Sequence, residues 1–277
     1  MQLTKFLSQT ARGPSPSPVL RRPLRPARRP LRRFAGAATI LILLALWQLV
    51  TVLEWVDPFL LPPPIEVAQR FGDVLADGRL WLHTRTTLVE VLAGLGIGLL
   101  IGLLLGYAIA RNRLLEDLLA PIVVMFQATP VVAYAPLLVI WFGSGATSKI
   151  ITAALIVFFP MLMNTVVGIR GVPVELRDLM RVSQATPWQV FTKLELPAAM
   201  PVLLTGIKTS ATLAVIGAVV GEFIVANAGL GFLMNLARST FDTALVFVAI
   251  ITLALLAGTL YSLVSLLERR LLAWQRQ

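Results

Sequence analysis

The sequence predicts an all-α integral membrane protein of six transmembrane helices, with a folded cytoplasmic loop between the fourth and the fifth. Three observations carry this. Apolar residues make up 57% of the 277 and charged ones only 14%, with a mean hydropathy of +0.82, whereas soluble domains are about one quarter charged. Five windows, 34–53, 91–110, 118–142, 150–169 and 243–267, contain no charged side chain, and a sixth, 201–226, carries charge only near its ends at Lys208 and Glu222; about 20 such residues cross about 30 Å of hydrocarbon. With the N-terminus inside, nineteen of the 24 Lys and Arg fall in cytoplasmic segments and five outside, the bias that sets orientation. Both termini are therefore expected in the cytoplasm of a multi-pass protein.

Residues 1–33 hold nine basic residues, six prolines and no acid. Such a segment has no apolar face to bury and reads as a disordered cytoplasmic tail that leans on anionic lipid. It supplies +9 of the formal +10, so the rest of the chain, 34–277, is nearly neutral and nucleic acid is disfavoured as a partner. The apolar stretch after it lacks a small-x-small cleavage pattern, and the prolines spoil the amphipathic helix of an organelle transit peptide. With no Cys and one His, His83, disulfides, thiolate metal sites and a nitrogen-rich metal cage are not expected.

After the first span comes a long external connection whose segment 62–87 opens on Pro62, Pro63 and Pro64. Beyond them Ile65, Ala68, Phe71, Val74 and Leu75 recur at helical spacing among polar residues, which predicts a short amphipathic helix on the outer surface. In the second span Gly98, Gly102 and Gly106 share one face and predict close packing against another helix of the same subunit. The third span contains Pro121, Pro130 and Pro136, each removing a backbone donor. Freed carbonyls in lipid are tolerated where neighbouring helices or a water-lined cavity satisfy them. Gln127, Thr129 and Tyr134 beside these breaks, with Asn164 and Thr165 beyond Pro160 in the fourth span, are candidate pathway-lining residues; the same groups also suit simple interhelical glue.

Residues 143–149 imitate a phosphate-cradling loop, but Ser148 stands in place of its second glycine and Ile150 in place of its hydroxyl residue. No nucleotide site is expected on this chain. In the fifth span Lys208 lies about 9 Å in from Val202 and can snorkel to the inner surface, while Glu222 lies about 30 Å on, at the outer interface. No catalytic constellation of paired carboxylates, Ser with His, or metal ligands falls within the spans, so an intramembrane enzyme is disfavoured. The charge-free spans likewise argue against an ion-coupled secondary transporter, which needs intramembrane ionisable groups.

The inner connection 170–200 mixes charged and apolar residues and reads as folded. Leu176, Leu179, Met180 and Ser183 suggest one short helix. Thr186-Pro187-Trp188-Gln189 starts another with a Thr N-cap, Pro at the first helical position and Gln placed to close a capping box. Pro197 is expected to end it after a few residues. Glu175, Arg177, Asp178, Arg181, Trp188 and Phe191 would then be exposed; a docking surface and a plain cap on the bundle both fit.

At this loop the sequence resembles the membrane permeases of ATP-binding-cassette importers of the binding-protein-dependent type I class. Their signature is Glu-Ala-Ala, a Gly four residues beyond the second Ala, and later Ile or Leu before Leu-Pro. Here Asp178 stands for the Glu, Leu179 and Met180 for the alanines and Gln184 for the Gly, while Trp188-Gln189, Phe191, Lys193 and Leu196-Pro197 fit. The likeness covers roughly residues 60 to 270 and extends to residues 135–143, Phe159-Pro160, Gly221-Glu222-Phe223 and Gly229-Leu230-Gly231. These resemble the branch that serves nitrate, taurine, alkanesulfonates, and the pyrimidine precursor of thiamine or riboflavin, with Ser148-Lys149 and residues 216–222 nearer the vitamin-related permeases.

The resemblance implies the type I importer fold in a prokaryotic inner membrane, with no cofactor on this chain and ATP with Mg used by a separate ATPase. It implies two copies of the chain forming the pathway, a cytoplasmic ATPase dimer docked on the loops, and an extracytoplasmic solute-binding protein delivering a small molecule. Glu175, Asp178, Arg181, Gln184, Trp188, Gln189 and Phe191 are then assigned to ATPase coupling, and Glu222 to the outer gate. A vitamin-related heterocycle is the expected solute, and a sulfonate, taurine or nitrate the alternative.

Overall fold

The computed structural model describes residues 29–273; residues 1–28, most of the expected basic tail, lie outside them. Among the described residues all regular structure is helical. The first helix, α1, runs Arg29–Val52, so helix begins five residues before the charge-free window. Pro30 is no obstacle there, because a helix's first turn needs no N–H from it. The chain divides into two compact units after Leu46, and every later helix belongs to the unit that begins at Trp47.

Near the end of α1, Trp47 Nε1 donates to the Pro62 carbonyl at 3.1 Å and its ring stacks on Phe247 at 5.3 Å. The amphipathic helix expected after the first span forms as α2, Pro64–Ala76, with Val67 and Val74 buried. Arg70 on it pairs with Asp242 at 2.5 Å. Gly78, at φ 78°, makes the turn into α3, Arg79–Arg111. The second span thus starts twelve residues before the window 91–110. Its extra turns are amphipathic: His83, Thr87 and Glu90 recur on one face and are buried, a pattern that a search for charge-free residues passes over.

The glycines explain how α3 meets α6, Ala146–Arg170. A Cβ on Gly94 would lie 2.5 Å from Ala153 Cβ, on Gly98 2.6 Å from the Ala154 carbonyl, on Gly102 2.9 Å from the Phe158 carbonyl and on Gly106 2.7 Å from Thr165 Cβ. Four turns of α3 therefore lie backbone to backbone on α6, where packing rather than hydrophobicity drives association. The other side of α6 meets α9, Leu196–Ile224, by the same device: a Cβ on Gly217 would lie 2.6 Å from Ala153 Cα, and one on Gly206 2.9 Å from Asn164 Cβ.

The proline-rich third span is interrupted. α4, Arg113–Ala128, starts on an Asn112 cap and carries Pro121 inside it; α5, Ala135–Phe142, comes after a single 3-10 turn. The two segments meet at 81°. Of the three prolines Pro130 accompanies the break, while Pro136 sits in the first turn of α5, where its missing N–H costs nothing. α7, Val174–Val182, and α8, Pro187–Val190, occupy the connection 170–200 that is expected on the inner side. α10, Leu230–Ser239, and α11, Thr243–Leu271, complete the chain, α11 starting on an Asp242 cap.

One expectation fails here. Pro197 does not stop the loop helix: α8, a π turn at Phe191–Glu195 and α9 run on as one helix, Pro187–Ile224. Pro197 lacks the N–H that would close on residue 193, and the helix passes that gap in the wider π register, with Leu196 N–H donating to the Phe191 carbonyl. Among the described residues four helices are long and apolar enough to cross a membrane, a fifth crossing is available if the bent pair counts as one, and Ala38–Val52 is a shorter apolar helix.

Candidate functional site

The inner loop is built by local signals. α7 ends in a Schellman turn: Ala185 N–H reaches the Met180 carbonyl at 3.0 Å and Gln184 N–H the Arg181 carbonyl at 3.0 Å, with Gln184 at φ 50°. Gln184 thus adopts the left-handed conformation that a glycine takes without penalty. The capping box forms as its spacing predicts: Gln189 N–H donates to Thr186 Oγ1 at 3.3 Å, and Thr186 N–H to Gln189 Oε1 at 2.9 Å.

This loop presents Glu175, Asp178, Arg181, Gln184 and Trp188 as exposed side chains, with Gln189 and Phe191 half-buried. Asp178 and Arg181 are paired at 3.3 Å but both remain well solvated, so the pair contributes little. Val174, Leu179 and Val182 are more than half exposed and Trp188 is 70% exposed. An apolar patch interleaved with both signs of charge is the composition of a docking surface.

Beneath it lies a residue that the sequence reasoning passed over. Glu195, on the π turn, is fully buried. Its Oε1 accepts from Arg111 Nη1 at 2.8 Å and lies 3.9 Å from Arg177 Nη2, and its Oε2 accepts from the Tyr107 hydroxyl at 3.1 Å. Arg177 Nη2 also donates to the Ile169 carbonyl at 2.5 Å. Next to this cluster Phe191 packs edge-on against Tyr107 at 5.1 Å and beside Trp188 at 5.7 Å. The available signal was the pair Tyr107 and Arg111, one turn apart at the inner end of the second span. An apolar cleft of about 460 Å³ separates the loop from the bundle, lined among others by Leu103, Tyr107, Thr165, Ile169, Trp188 and Phe191.

The pathway candidates fall into two groups. Gln127 is exposed on the last turn of α4, Thr129 donates to the Met125 carbonyl at 3.1 Å, and Tyr134 faces Phe126 at 5.9 Å, all at the 81° break. Asn164 and Thr165 lie in the seams of α6: half-buried Asn164 opposite Gly206, buried Thr165 opposite Gly106. Each also bonds one turn back, to the Pro160 and Met161 carbonyls.

Glu222 does not sit at an open outer interface; it is buried to 1% exposure. Its Oε1 accepts from Thr87 Oγ1 at 2.6 Å and its Oε2 from Gly231 N–H at 2.5 Å. Thr87 Oγ1 in turn accepts from Leu230 N–H at 2.8 Å, and His83 Nδ1 from Gly229 N–H at 3.1 Å. Side chains of α3 and α9 thereby satisfy the N–H groups of the cap residue Gly229 and of the first two residues of α10, which no helix can satisfy internally. Gly229, at φ 117°, approaches so closely that a Cβ there would collide with the Glu222 carboxyl. Glu90 lies within hydrogen-bonding reach of the same carboxyl, and Lys149 is buried nearby, donating to the Ser144 and Gly145 carbonyls at 2.5 and 3.1 Å. Charge does enter the bundle, just outside the apolar windows at Glu90 and Lys149 and near the end of the sixth at Glu222. Glu90 escaped notice by standing one residue outside its window, and His83, Thr87 and Glu90 at spacings of four and three were the signal.

Residues 98–273 match the family of binding-protein-dependent transport system inner membrane components. The riboflavin transport system permease protein RibX of Chloroflexus aurantiacus is 48% identical over 255 residues, covering 90% of this chain and 95% of that protein. The formylaminopyrimidine transport permease protein ThiX of Halalkalibacterium halodurans is 34% identical, covering 86% and 94%. Among solved structures, a chain of the methionine ABC transporter MetNI in an inward-facing conformation superposes with a TM-score of 0.62 at 21% identity, over 69% of this chain and 97% of that one, a likeness of fold.

Proposed function

The chain belongs to the family of binding-protein-dependent transport system inner membrane components, and from that premise we propose that it carries riboflavin or a related heterocycle across the membrane. It is the non-catalytic, multi-pass inner-membrane subunit of a type I ATP-binding-cassette importer, a class that works with an ATPase and a solute-binding protein. The observation that supports the finer reading is the 48% identity with a riboflavin permease along nearly the whole of both chains.

In this reading two copies of the chain line the pathway, six helices each, with both termini in the cytoplasm. The bias of the basic residues supports the orientation. The exposed Glu175, Asp178, Arg181, Gln184 and Trp188, with the half-buried Gln189 and Phe191, dock in a cleft of the ATPase. Gln127, Thr129 and Tyr134 at the bend, with Asn164 and Thr165 in α6, border the route of the solute. Glu222 acts on the outer gate by holding α10 rather than by facing solvent. ATP binding has to favour one arrangement of the helices over the other, since a ligand shifts an equilibrium only by its differential affinity.

Reconstituting the chain with its own ATPase and binding protein tests the substrate: ATP-dependent accumulation of labelled riboflavin is expected. Accumulation of taurine or an alkanesulfonate instead would replace the vitamin reading by the sulfonate one. For the loop, Asp178→Lys combined with Trp188→Ala is expected to abolish co-purification of the ATPase while membrane insertion persists, and normal co-purification would remove the docking assignment.

A further inference from the structure

Of the two short helices of the docking surface α8 runs on into α9, but motion passed to them reaches α3 only if something ties them to it. The described contacts supply that tie at one place. The π turn at Phe191–Glu195 rotates Glu195 inward, to full burial, where it meets Tyr107 and Arg111 of α3 and lies 3.9 Å from Arg177 of α7. Arg177 extends the tie to α6 through the Ile169 carbonyl, and its buried Nε has no partner, so the guanidinium is held there without all its donors being satisfied. Phe191, one helical turn before Glu195, packs on the ring of the same Tyr107.

A buried carboxylate stripped of its cations is far less stable than one that keeps them. The cluster therefore favours holding together over partial opening. We propose that Glu195 is a positioning residue which makes the docking loop and the inner end of α3 move as one body, so that displacement of α7 and α8 by the ATPase reaches the span. The proposal rests on the reading of the loop as the ATPase-docking element.

The chain has no cysteine, so with a cysteine-free ATPase and doubly labelled chain diluted into unlabelled copies, introduced labels report within one copy. Spin labels at Val174, at the start of α7, and at Leu100, exposed on α3, report the distance between loop and span in the complex with the ATPase, nucleotide-free and trapped with ATP and vanadate. In the otherwise native chain one narrow distance is expected, the same in both states. In Glu195→Gln that narrow distance is expected to be lost and to change on trapping, while the ATPase still co-purifies. Arg111→Gln, which leaves Glu195 with Tyr107 and Arg177, is expected to do the same more weakly and serves should the first variant fail to fold. An unchanged narrow distance in these variants, or a state-dependent one in the native chain, overturns the proposal. Failure of the native chain to retain the ATPase overturns the docking reading and the proposal with it, an outcome distinct from the other two.

Discussion

The helix Pro187–Ile224 carries a buried glutamate near each end, and both reach across to α3, yet the two are stabilised in opposite ways. Glu195 is met by two guanidinium groups and a phenol from two helices, α3 and α7. Glu222, roughly 40 Å further along at 1.5 Å per residue, is met by a hydroxyl, a backbone N–H and a second carboxyl. The arginines around Glu195 are themselves 42% and 32% exposed, so that end is a charge pair at the edge of water. The Glu222 end is a helix cap: its carboxylate completes the N-terminus of α10, where the helix dipole also favours negative charge. A buried acid is thus not one kind of object. At the loop end it joins α7 and α9 to α3 by charge, and at the other end it fixes a backbone.

The comparison predicts unequal responses to mutation. The largest effect is expected from removing both cations, Arg111→Ala with Arg177→Ala, which strands the Glu195 carboxylate and costs about 3–5 kcal/mol. Thermal unfolding in detergent should show it, and adding Glu195→Met should return most of the loss; if the triple variant melts no higher than the double, charge is not what holds that end. Smaller is Glu222→Gln, whose amide must point a donor at either Thr87 or the Gly231 N–H and so costs about 1–3 kcal/mol, whereas Glu90→Gln, beginning from an oxygen without a partner, should melt at or above the parent. Equal losses in the two would mean that Glu222 acts by charge rather than as a cap. The smallest effect is a gain: Gln184→Gly relieves the left-handed backbone at φ 50° and should stabilise by about 0.5–1 kcal/mol, read as a rise in the same melting temperature.

How much of this was legible depended on whether the cause was local. The four-residue spacing of Gly98, Gly102 and Gly106 announced a packing face, and Gly94 extends it, because a missing side chain acts wherever a neighbour sits. The capping box of Thr186 and Gln189 and the break beside Pro130 were legible for the same reason. Glu195 was not: its partners on α3 lie 84 and 88 residues away in sequence, and one acid in a mixed loop has no periodicity to betray it. The early start of α3 was hidden differently. A rule that seeks charge-free residues ends a helix where charge begins, yet His83 and Thr87 are turned inward to the start of α10 and Glu90 to Glu222 on α9. Pro197 misled because proline's rule is written for the α register, and the chain used a π turn to escape it. Of the candidate site, the loop surface could be read from composition, while its anchoring could not.

The continuity from Pro187 to Ile224 has a mechanical consequence. Thirty-eight helical residues measure about 57 Å, nearly twice the about 30 Å of hydrocarbon they must cross. The surplus stands outside the oily layer, and one end of it carries the exposed Trp188, part of the surface proposed to dock the ATPase. A rod so mounted converts rotation into travel: tilted about its far end by about 10°, its tip sweeps about 10 Å at that length. A small angular change within the membrane and a large lateral stroke at the inner tip are then one movement seen at two radii.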